Sequence, residues 1–228
     1  MGMAMTQKEK ARFKAVVFDL DGTLLDTLDD LADCMNAALR ELGLKDHPDV
    51  SHHKYFVGDG VRNYILRVLP EDKRADEELI ARLSATYRRN YAAGWKVKTR
   101  PYDGVPQTLA ELRRRGLRLA VLSNKPDEFS KATVAAFFEP GLFELVVGAG
   151  DDMPLKPDPA AALEIARRMG LAPADFLYVG DTATDMKTAV AAGMFPVGAM
   201  WGFRPAEELK GSGARVLIKR PGELSRYV

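Results

Sequence analysis

Residues 14–23 have the sequence KAVVFDLDGT, which gives the clearest indication of the fold. The mostly apolar run KAVVF stops abruptly at Asp19, which is typical of a buried strand that ends at a functional edge of a sheet. Two carboxylates separated by one residue follow, and Gly22 permits a tight turn after them. We therefore expect a strand that delivers Asp19 and Asp21 to its carboxyl end.

The sequence beyond Pro101 alternates between helical and strand-like segments. The strand candidates are short apolar runs, namely LRLAVLSN, LFELVVGAG, FLYVGD, FPVGAM and RVLI. Such alternation predicts a doubly wound α/β core with a parallel sheet and right-handed crossovers. Reactive groups of such a fold gather beyond the carboxyl ends of the strands.

The segment between these two regions has a different pattern. Apolar residues recur at helical spacing from Leu28 to Leu42, and residues 46–96 have helical character with loop-like interruptions at VGDG and LPED. No convincing buried strand occurs there. The pattern predicts a small helical unit inserted after the first strand.

Composition excludes several classes of protein. Lys and Arg number 33 against 32 Asp and Glu, so the charge balance gives no reason to expect nucleic acid or an acidic membrane as a partner. No apolar run reaches the roughly eighteen residues of a membrane span. The single Cys34 excludes an internal disulfide framework and fits a reducing compartment, so we expect a soluble cytoplasmic protein.

The first candidate cluster contains Asp19 and Asp21. Neighbouring carboxylates repel each other, and a hard divalent cation with oxygen ligands would compensate, with magnesium the leading candidate. One carboxylate could attack phosphorus while the other protonates the leaving oxygen. We assign these roles to Asp19 and Asp21, and we place Thr23 among the substrate-binding residues. A simple Asp-Gly turn with Asp19 as a helix cap is the alternative.

The second and third clusters offer groups for a phosphate. Ser123 and Asn124 follow the strand candidate LRLAVL, where a hydroxyl and backbone amides can bind phosphate oxygens. Lys156 lies on a loop before a well-marked helix and offers a compact positive charge beside the nucleophile. The alternatives are turn or capping chemistry for Ser123 and Asn124, and a solvated surface position for Lys156.

The fourth cluster places two more carboxylates after the strand candidate FLYV. Asp181 and Asp185 are one helical turn apart, and both could face the cation. We expect Asp181 to ligate it directly and Asp185 to ligate it through water or to orient the other ligands. The alternatives are that Asp181 is an ordinary loop residue and that Asp185 is a favourable charge at the N-terminus of a helix.

The four clusters occur in one order, each at the carboxyl end of a predicted strand. Together, DLDGT, the Ser123 segment, Lys156 and GDTATD resemble the four motifs of the haloacid dehalogenase-like superfamily of phosphohydrolases. The longer segments FDLDGTLLDT, LAVLSNKP and LKPDP are most similar to phosphoglycolate phosphatases and their relatives. The resemblance implies a Rossmann-like core, with magnesium held by Asp19, the Asp21 backbone carbonyl and Asp181.

The resemblance also implies an inserted helical cap. We therefore predict a core domain of residues 1–26 and 97–228 and a cap domain of residues 27–96. Specificity is expected from the cap, and our candidates there are Gly58, Gly60 and Arg62.

The predicted function is hydrolysis of a small phosphorylated metabolite, with 2-phosphoglycolate the first choice. Sugar phosphates, nucleotides and pyrophosphate remain open as substrates, and so does phosphoryl transfer by a sugar phosphomutase. A non-catalytic phosphate- or protein-binding module is the alternative from another class. The oligomeric state is not predicted.

Overall fold

The computed structural model describes residues 13–228; residues 1–12, which the predicted core domain includes, lie outside the described residues. A six-stranded parallel sheet has the strand order β5-β4-β1-β6-β7-β8, and a two-stranded sheet pairs β2 with β3. The strands in chain order are β1 Ala15–Phe18, β2 Leu25–Asp26, β3 Arg100–Pro101, β4 Arg118–Pro126, β5 Leu145–Ala149, β6 Phe176–Gly180, β7 Phe195–Ala199 and β8 Val216–Ile218. The predicted α/β class with a parallel sheet is confirmed.

Nine α-helices accompany these strands among residues 13–228. In chain order they are α1 Leu28–Glu41, α2 Val50–His53, α3 Val61–Val68, α4 Glu77–Gly94, α5 Val105–Arg114, α6 Asp127–Phe137, α7 Ala160–Arg168, α8 Ala183–Ala192 and α9 Ala206–Gly211. None of the described helices is both long and apolar enough to cross a lipid bilayer.

Strand β1 lies near the middle of the large sheet because all four of its side chains are apolar and buried. Phe18 is paired with Val121 of β4 on one side and with Val179 of β6 on the other. Side chains of one face, including Val16 and Phe18, belong to one apolar cluster, and Ala15 and Val17 belong to a second. The residue after β1 therefore emerges between the ends of two neighbouring strands.

The chain divides into two compact units. We call residues 13–25 with 101–228 the core unit, and residues 26–100 the helical unit. The chain passes from one to the other at β2 and back at β3, which pair with each other. The cap predicted from the sequence and the family resemblance has the bounds 27–96.

The helical unit consists of α1 to α4 and the residues between and after them. Asp30 of α1 accepts hydrogen bonds from the backbone N–H groups of Lys98 and Thr99, so the two ends of the unit are tied together. His53 is buried; one ring nitrogen lies 2.6 Å from the Tyr64 hydroxyl and the other 3.1 Å from the His47 carbonyl oxygen. This histidine is a packed part of the unit's interior.

Candidate active site

Polar side chains from three neighbouring strands meet at the carboxyl edge of the large sheet. Asp19 directly follows β1, Ser123 to Lys125 form the end of β4, and Asp181 directly follows β6. Both β4 and β6 pair with β1, so the topology brings these residues together. This is the edge at which ligands of open α/β sheets bind.

Asp19 lies at the centre of this edge and is only 5% exposed. Its Oδ1 accepts a hydrogen bond of 2.7 Å from the backbone N–H of Leu20 and lies 2.9 Å from the Lys156 Nζ. Burial raises the pKa of Asp19 to about 7; the Asp185 charge adds to the effect, and Lys156 opposes it. Without a cation, this carboxyl group is therefore poised between its two protonation states near neutrality.

Lys156 joins two carboxylates from separate strand ends. Its buried Nζ lies 2.9 Å from Asp19 Oδ1, and it donates to Asp185 Oδ1 at 2.7 Å and to the Leu122 carbonyl at 3.2 Å. Burial acts to lower the pKa of Lys156, but the charges of Asp185 and Asp19 outweigh it and hold the pKa well above its usual value. Lys156 is therefore a buried cation within the acidic centre.

The Asn124 side chain fixes the loop that carries this lysine. Its Nδ2 donates to the Lys156 carbonyl at 3.0 Å, and its Oδ1 accepts from the Lys156 N–H at 2.9 Å. Both polar ends of the amide are thus engaged by a single residue. Asn124 therefore positions Lys156, and its role in substrate binding stays a prediction.

Asp181 is held by donors from two different segments. The Thr23 hydroxyl donates to its Oδ1 at 2.7 Å, and the Phe203 N–H donates to its Oδ2 at 2.8 Å. Burial, followed by the charges of Asp185 and Asp19, raises the pKa of Asp181 well above its usual value. Thr23, another predicted substrate-binding residue, thus contacts a carboxylate of the site.

Two glycines allow the backbone to pack closely around Asp181. A Cβ atom at Gly22 would lie 2.3 Å from Asp181 Oδ2, and one at Gly202 would lie 2.3 Å from the Asp181 Cβ. Gly22 also has a φ of +86°, a backbone conformation that favours glycine. Gly22 therefore requires glycine for both steric and conformational reasons, and Gly202 requires it for steric reasons.

Asp185 is fixed by the first turn of α8. Its Oδ2 accepts from the Thr182 hydroxyl at 2.7 Å and from the Thr182 N–H at 3.1 Å, while its N–H donates to the Thr182 Oγ1 at 3.4 Å. This reciprocal capping box leaves Oδ1 free of the cap, and Oδ1 is the atom that Lys156 contacts. The cap and the lysine together determine the orientation of this carboxylate.

The geometry suits a divalent cation. Asp19, Asp181 and Asp185 each offer an oxygen, and these oxygens lie within 4.8 Å of one another. All three carboxylates are buried, and the charge of Asp185 raises the pKa of both others. An all-oxygen donor set with concentrated negative charge fits a hard cation such as magnesium.

Asp21 lies beside this cluster but has a different partner. Lys125 Nζ donates to Asp21 Oδ1 at 2.8 Å and to Oδ2 at 2.7 Å. The Asp21 side chain is 19% exposed and that of Lys125 is 4% exposed. The Asp21 carboxylate is therefore partly exposed, and a buried ammonium group holds it.

The other predicted residues are divided between the two units. Ser123 is buried in the core unit, and its Oγ accepts from the Lys125 N–H at 3.2 Å. Gly58, Gly60 and Arg62 belong to the helical unit. Gly58 and Gly60 have φ angles of +114° and +86°, and Arg62 forms an exposed bidentate ion pair with Glu77.

Sequence reasoning missed Lys125 and the segment around Phe203. Lys125 lies in the quoted SNKP segment, but a lysine after a strand gives no sign of which carboxylate it contacts. The Phe203 contribution is a backbone N–H, and Trp201 donates through its Nε1 to the Thr23 carbonyl at 2.9 Å. A backbone donor has no side-chain signature, so the sequence offered no signal for it.

Fold and site together define an α/β protein with a buried carboxylate and lysine centre suited to a cation and an anionic ligand. Residues 16–199 match the family model of the haloacid dehalogenase-like hydrolases. The chain therefore belongs to the haloacid dehalogenase-like hydrolase family, as the four motifs predicted.

Individual relatives agree with this assignment. The chain is 36% identical over 190 residues to a phosphoglycolate phosphatase of Aquifex aeolicus, covering 83% of this chain and 86% of the relative. It is 37% identical over 199 residues to a phosphoglycolate phosphatase of Nitrosospira multiformis, covering 86% and 87%. A solved structure from Lactobacillus delbrueckii subsp. bulgaricus is similar with a TM-score of 0.88 at 30% identity, covering 94% and 97%.

The acidic centre predicts that magnesium stabilises the folded protein. A ligand present at a hundred times its dissociation constant raises the free energy of unfolding by about 2.7 kcal/mol. For a chain of this size, that corresponds to a rise in Tm of roughly 5–10 °C. The shift should be larger at pH 8 than at pH 6, because Asp19, with a pKa of about 7, must lose its proton to become a ligand. Differential scanning calorimetry with and without magnesium measures it.

The variant Asp181→Asn should reduce this magnesium-dependent shift because it removes one of the three clustered carboxylates. The matched control is Asp103→Asn, which neutralises an exposed carboxylate of the same unit and should retain the full shift. An unreduced shift in Asp181→Asn would show that the cation binds elsewhere.

Proposed function

We propose that this protein is a magnesium-dependent phosphatase that hydrolyses a small phosphomonoester through a phosphoaspartate on Asp19. The observation that carries the proposal is the position of Lys156, whose Nζ lies 2.9 Å from Asp19 and 2.7 Å from Asp185. A buried ammonium beside a buried carboxylate fits a site that must accept a phosphoryl group next to its nucleophile.

Magnesium would be held by Asp19, the Asp21 backbone carbonyl and Asp181, with Asp185 as a further ligand or as a residue that orients the others. When bound, it would reduce the repulsion between the Asp19 carboxylate and the phosphoryl oxygens. The contacts from Thr23 and Phe203 to Asp181 support this role, since they leave that carboxylate little freedom to rotate.

In the proposed reaction, an Asp19 carboxylate oxygen attacks phosphorus in line with the leaving oxygen. Asp21 gives a proton to that oxygen and then takes a proton from the water that hydrolyses the phosphoaspartate. Lys156 and the Ser123 segment stabilise the phosphoryl oxygens. Enzymes accelerate phosphomonoester hydrolysis by up to about 10²¹-fold, so no single residue suffices.

We further propose 2-phosphoglycolate as the first substrate to test. Two relatives at 36% and 37% identity are phosphoglycolate phosphatases, and each alignment covers more than four fifths of both chains. We also propose a cytoplasmic location, which the single Cys34 supports. Sugar phosphates, nucleotides and pyrophosphate complete the panel that would identify the preferred ester.

The proposal predicts that Asp19→Asn abolishes turnover, because an amide cannot serve as the nucleophile. We expect kcat for 2-phosphoglycolate to fall at least ~10³-fold and phosphoenzyme trapping after acid quench to disappear. Asp103→Asn is the matched control, since it removes an exposed carboxylate of the same unit and should retain activity. Substantial turnover by Asp19→Asn, with a phosphoenzyme still trapped, would refute the assignment of the nucleophile.

We also propose that the helical unit acts as the cap and that Gly58, Gly60 and Arg62 contribute to substrate binding. Gly60 is the N-cap residue of α3, so its conformation determines where that helix begins. It thereby also determines the position of Arg62, the second residue of the helix. A guanidinium group suits an anionic substrate because it offers several donors in a fixed plane.

Arg62→Ala should therefore raise KM for 2-phosphoglycolate about tenfold, which corresponds to the loss of one charge-assisted hydrogen bond. Tm should change little, because the ion pair with Glu77 is exposed and solvent screens it. The control is Arg82→Ala, which removes an exposed arginine of the same unit. Equal KM values for the two variants would remove Arg62 from the substrate site.

A further inference from the structure

We propose that Lys125 is a positioning residue that fixes the direction of the Asp21 carboxyl group toward the leaving oxygen. This inference rests on the proposed function, in which Asp21 handles the proton of the leaving group. It concerns the ion pair between Lys125 and Asp21, which lies beside the carboxylate cluster. The four sequence motifs give Lys125 no role.

The contact between these side chains is specific in geometry. A single ammonium group donates to both Asp21 oxygens, at 2.8 and 2.7 Å. Within residues 13–228, Lys125 is the one hydrogen-bond donor that contacts the Asp21 carboxylate. Asp19, Asp181 and Asp185 each have further donors. Asp21 therefore relies on one donor residue, Lys125, for its orientation, whereas each of the other three carboxylates is held by more than one.

The backbone around Lys125 is held firmly, as a positioning role requires. The Lys125 N–H donates to Ser123 Oγ at 3.2 Å, and its carbonyl accepts from the Ser130 hydroxyl at 3.1 Å. The pairing of β4 with β5 shifts in register between Leu122 and Pro126, so this segment departs from the regular strand. The irregular end of β4 thus has fixed hydrogen bonds on both sides of the lysine.

A neighbouring glycine allows this arrangement to pack. A Cβ atom at Gly148 of β5 would lie 2.5 Å from the Asp127 Cα and 2.7 Å from the Ser130 Oγ. The Gly148 N–H also donates to Asp127 Oδ1 at 3.0 Å. The close approach of β5 therefore supports the first turn of α6, which follows Lys125.

Burial distinguishes the two partners of the ion pair. The Lys125 side chain is 4% exposed, whereas that of Asp21 is 19% exposed. The lysine is thus the enclosed part and the carboxylate is the part that can meet a ligand. Lys125 can therefore act as the support and Asp21 as the reacting group. A side chain that must react in a precise geometry needs a partner that fixes its rotamer.

The step that depends on this support is the first half-reaction. An Asp19 oxygen forms a bond to phosphorus while the bond from phosphorus to the leaving oxygen breaks. The leaving oxygen takes the proton of the Asp21 carboxyl group, which leaves Asp21 as a carboxylate. An alkoxide is a poor leaving group without this proton, whereas a nitrophenolate departs without it.

The experiment compares three esters with wild type and Lys125→Met, using kcat/KM, which reports the steps up to departure of the leaving group. The esters are 2-phosphoglycolate, glycerol 3-phosphate and p-nitrophenyl phosphate. We expect Lys125→Met to lower kcat/KM about 10²-fold for both alkyl esters, the loss typical of a misplaced reacting group. The value for p-nitrophenyl phosphate should stay close to that of wild type.

Lys131→Met is the matched control, because Lys131 is an exposed lysine that pairs with Asp127 on α6. It should leave all three values unchanged. Equal losses for the three esters in Lys125→Met would indicate a general structural defect and overturn the proposal. A loss confined to 2-phosphoglycolate would mean that Lys125 binds the substrate carboxylate, and would also overturn it.

A double-variant comparison keeps the test decisive if Lys125→Met folds poorly, since removing one partner of a buried pair leaves an uncompensated charge. The variant Asp21→Asn should lower kcat/KM for 2-phosphoglycolate, and Asp21→Asn with Lys125→Met should lower it no further. An additional loss in the double variant would give Lys125 a role independent of Asp21. A wild-type protein that hydrolyses none of the esters would instead refute the proposed phosphatase function.

Discussion

The buried ion pairs of Lys156 are the interactions on which the rest of the site depends. Its ammonium joins Asp19, at the end of β1, to Asp185, in the first turn of α8. When all the titratable groups are ionised, the ion pairs of the four carboxylates within residues 13–228 are with two ammonium groups, Lys125 and Lys156. The excess of negative charge is an arrangement that a divalent cation would neutralise, and burial makes that neutralisation more favourable than it would be in water.

The supporting contacts share one design, in which each charged group is oriented by a neighbour from another segment. Asn124 holds the backbone of Lys156, Thr23 and the Phe203 N–H hold Asp181, and Thr182 holds Asp185. Close packing at Gly22 and Gly202 leaves no space for Asp181 to move toward them. Such constraints keep the carboxylates in place despite their mutual repulsion, which is the condition for preorganised electrostatic catalysis.

Most of the fold followed from the sequence because buried parallel strands are continuous apolar runs. The run ending at Asp19 and the alternation after Pro101 predicted the parallel sheet and its reactive edge, and the convergence of Asp19, Lys156 and Asp181 followed from that topology. The sequence did not predict in the same way which side chains of the site contact each other. The sequence assigned Thr23 and Asn124 to substrate binding, and that assignment stays a prediction. It did not predict their contacts with Asp181 and Lys156, because a hydroxyl or an amide looks the same in the sequence in either role. The partner of Lys125 depends on the irregular end of β4, which leaves no periodic pattern.

A crystal structure of the protein with manganese and beryllium fluoride would test the proposed cation and phosphoryl sites together, because anomalous scattering locates the cation. We expect one anomalous peak between the carboxylates of Asp19 and Asp181, with beryllium fluoride on an Asp19 oxygen and the Lys156 ammonium in contact with its fluorides. A cation bound away from Asp19 and Asp181, or beryllium fluoride on another residue, would show that the proposed site is wrong.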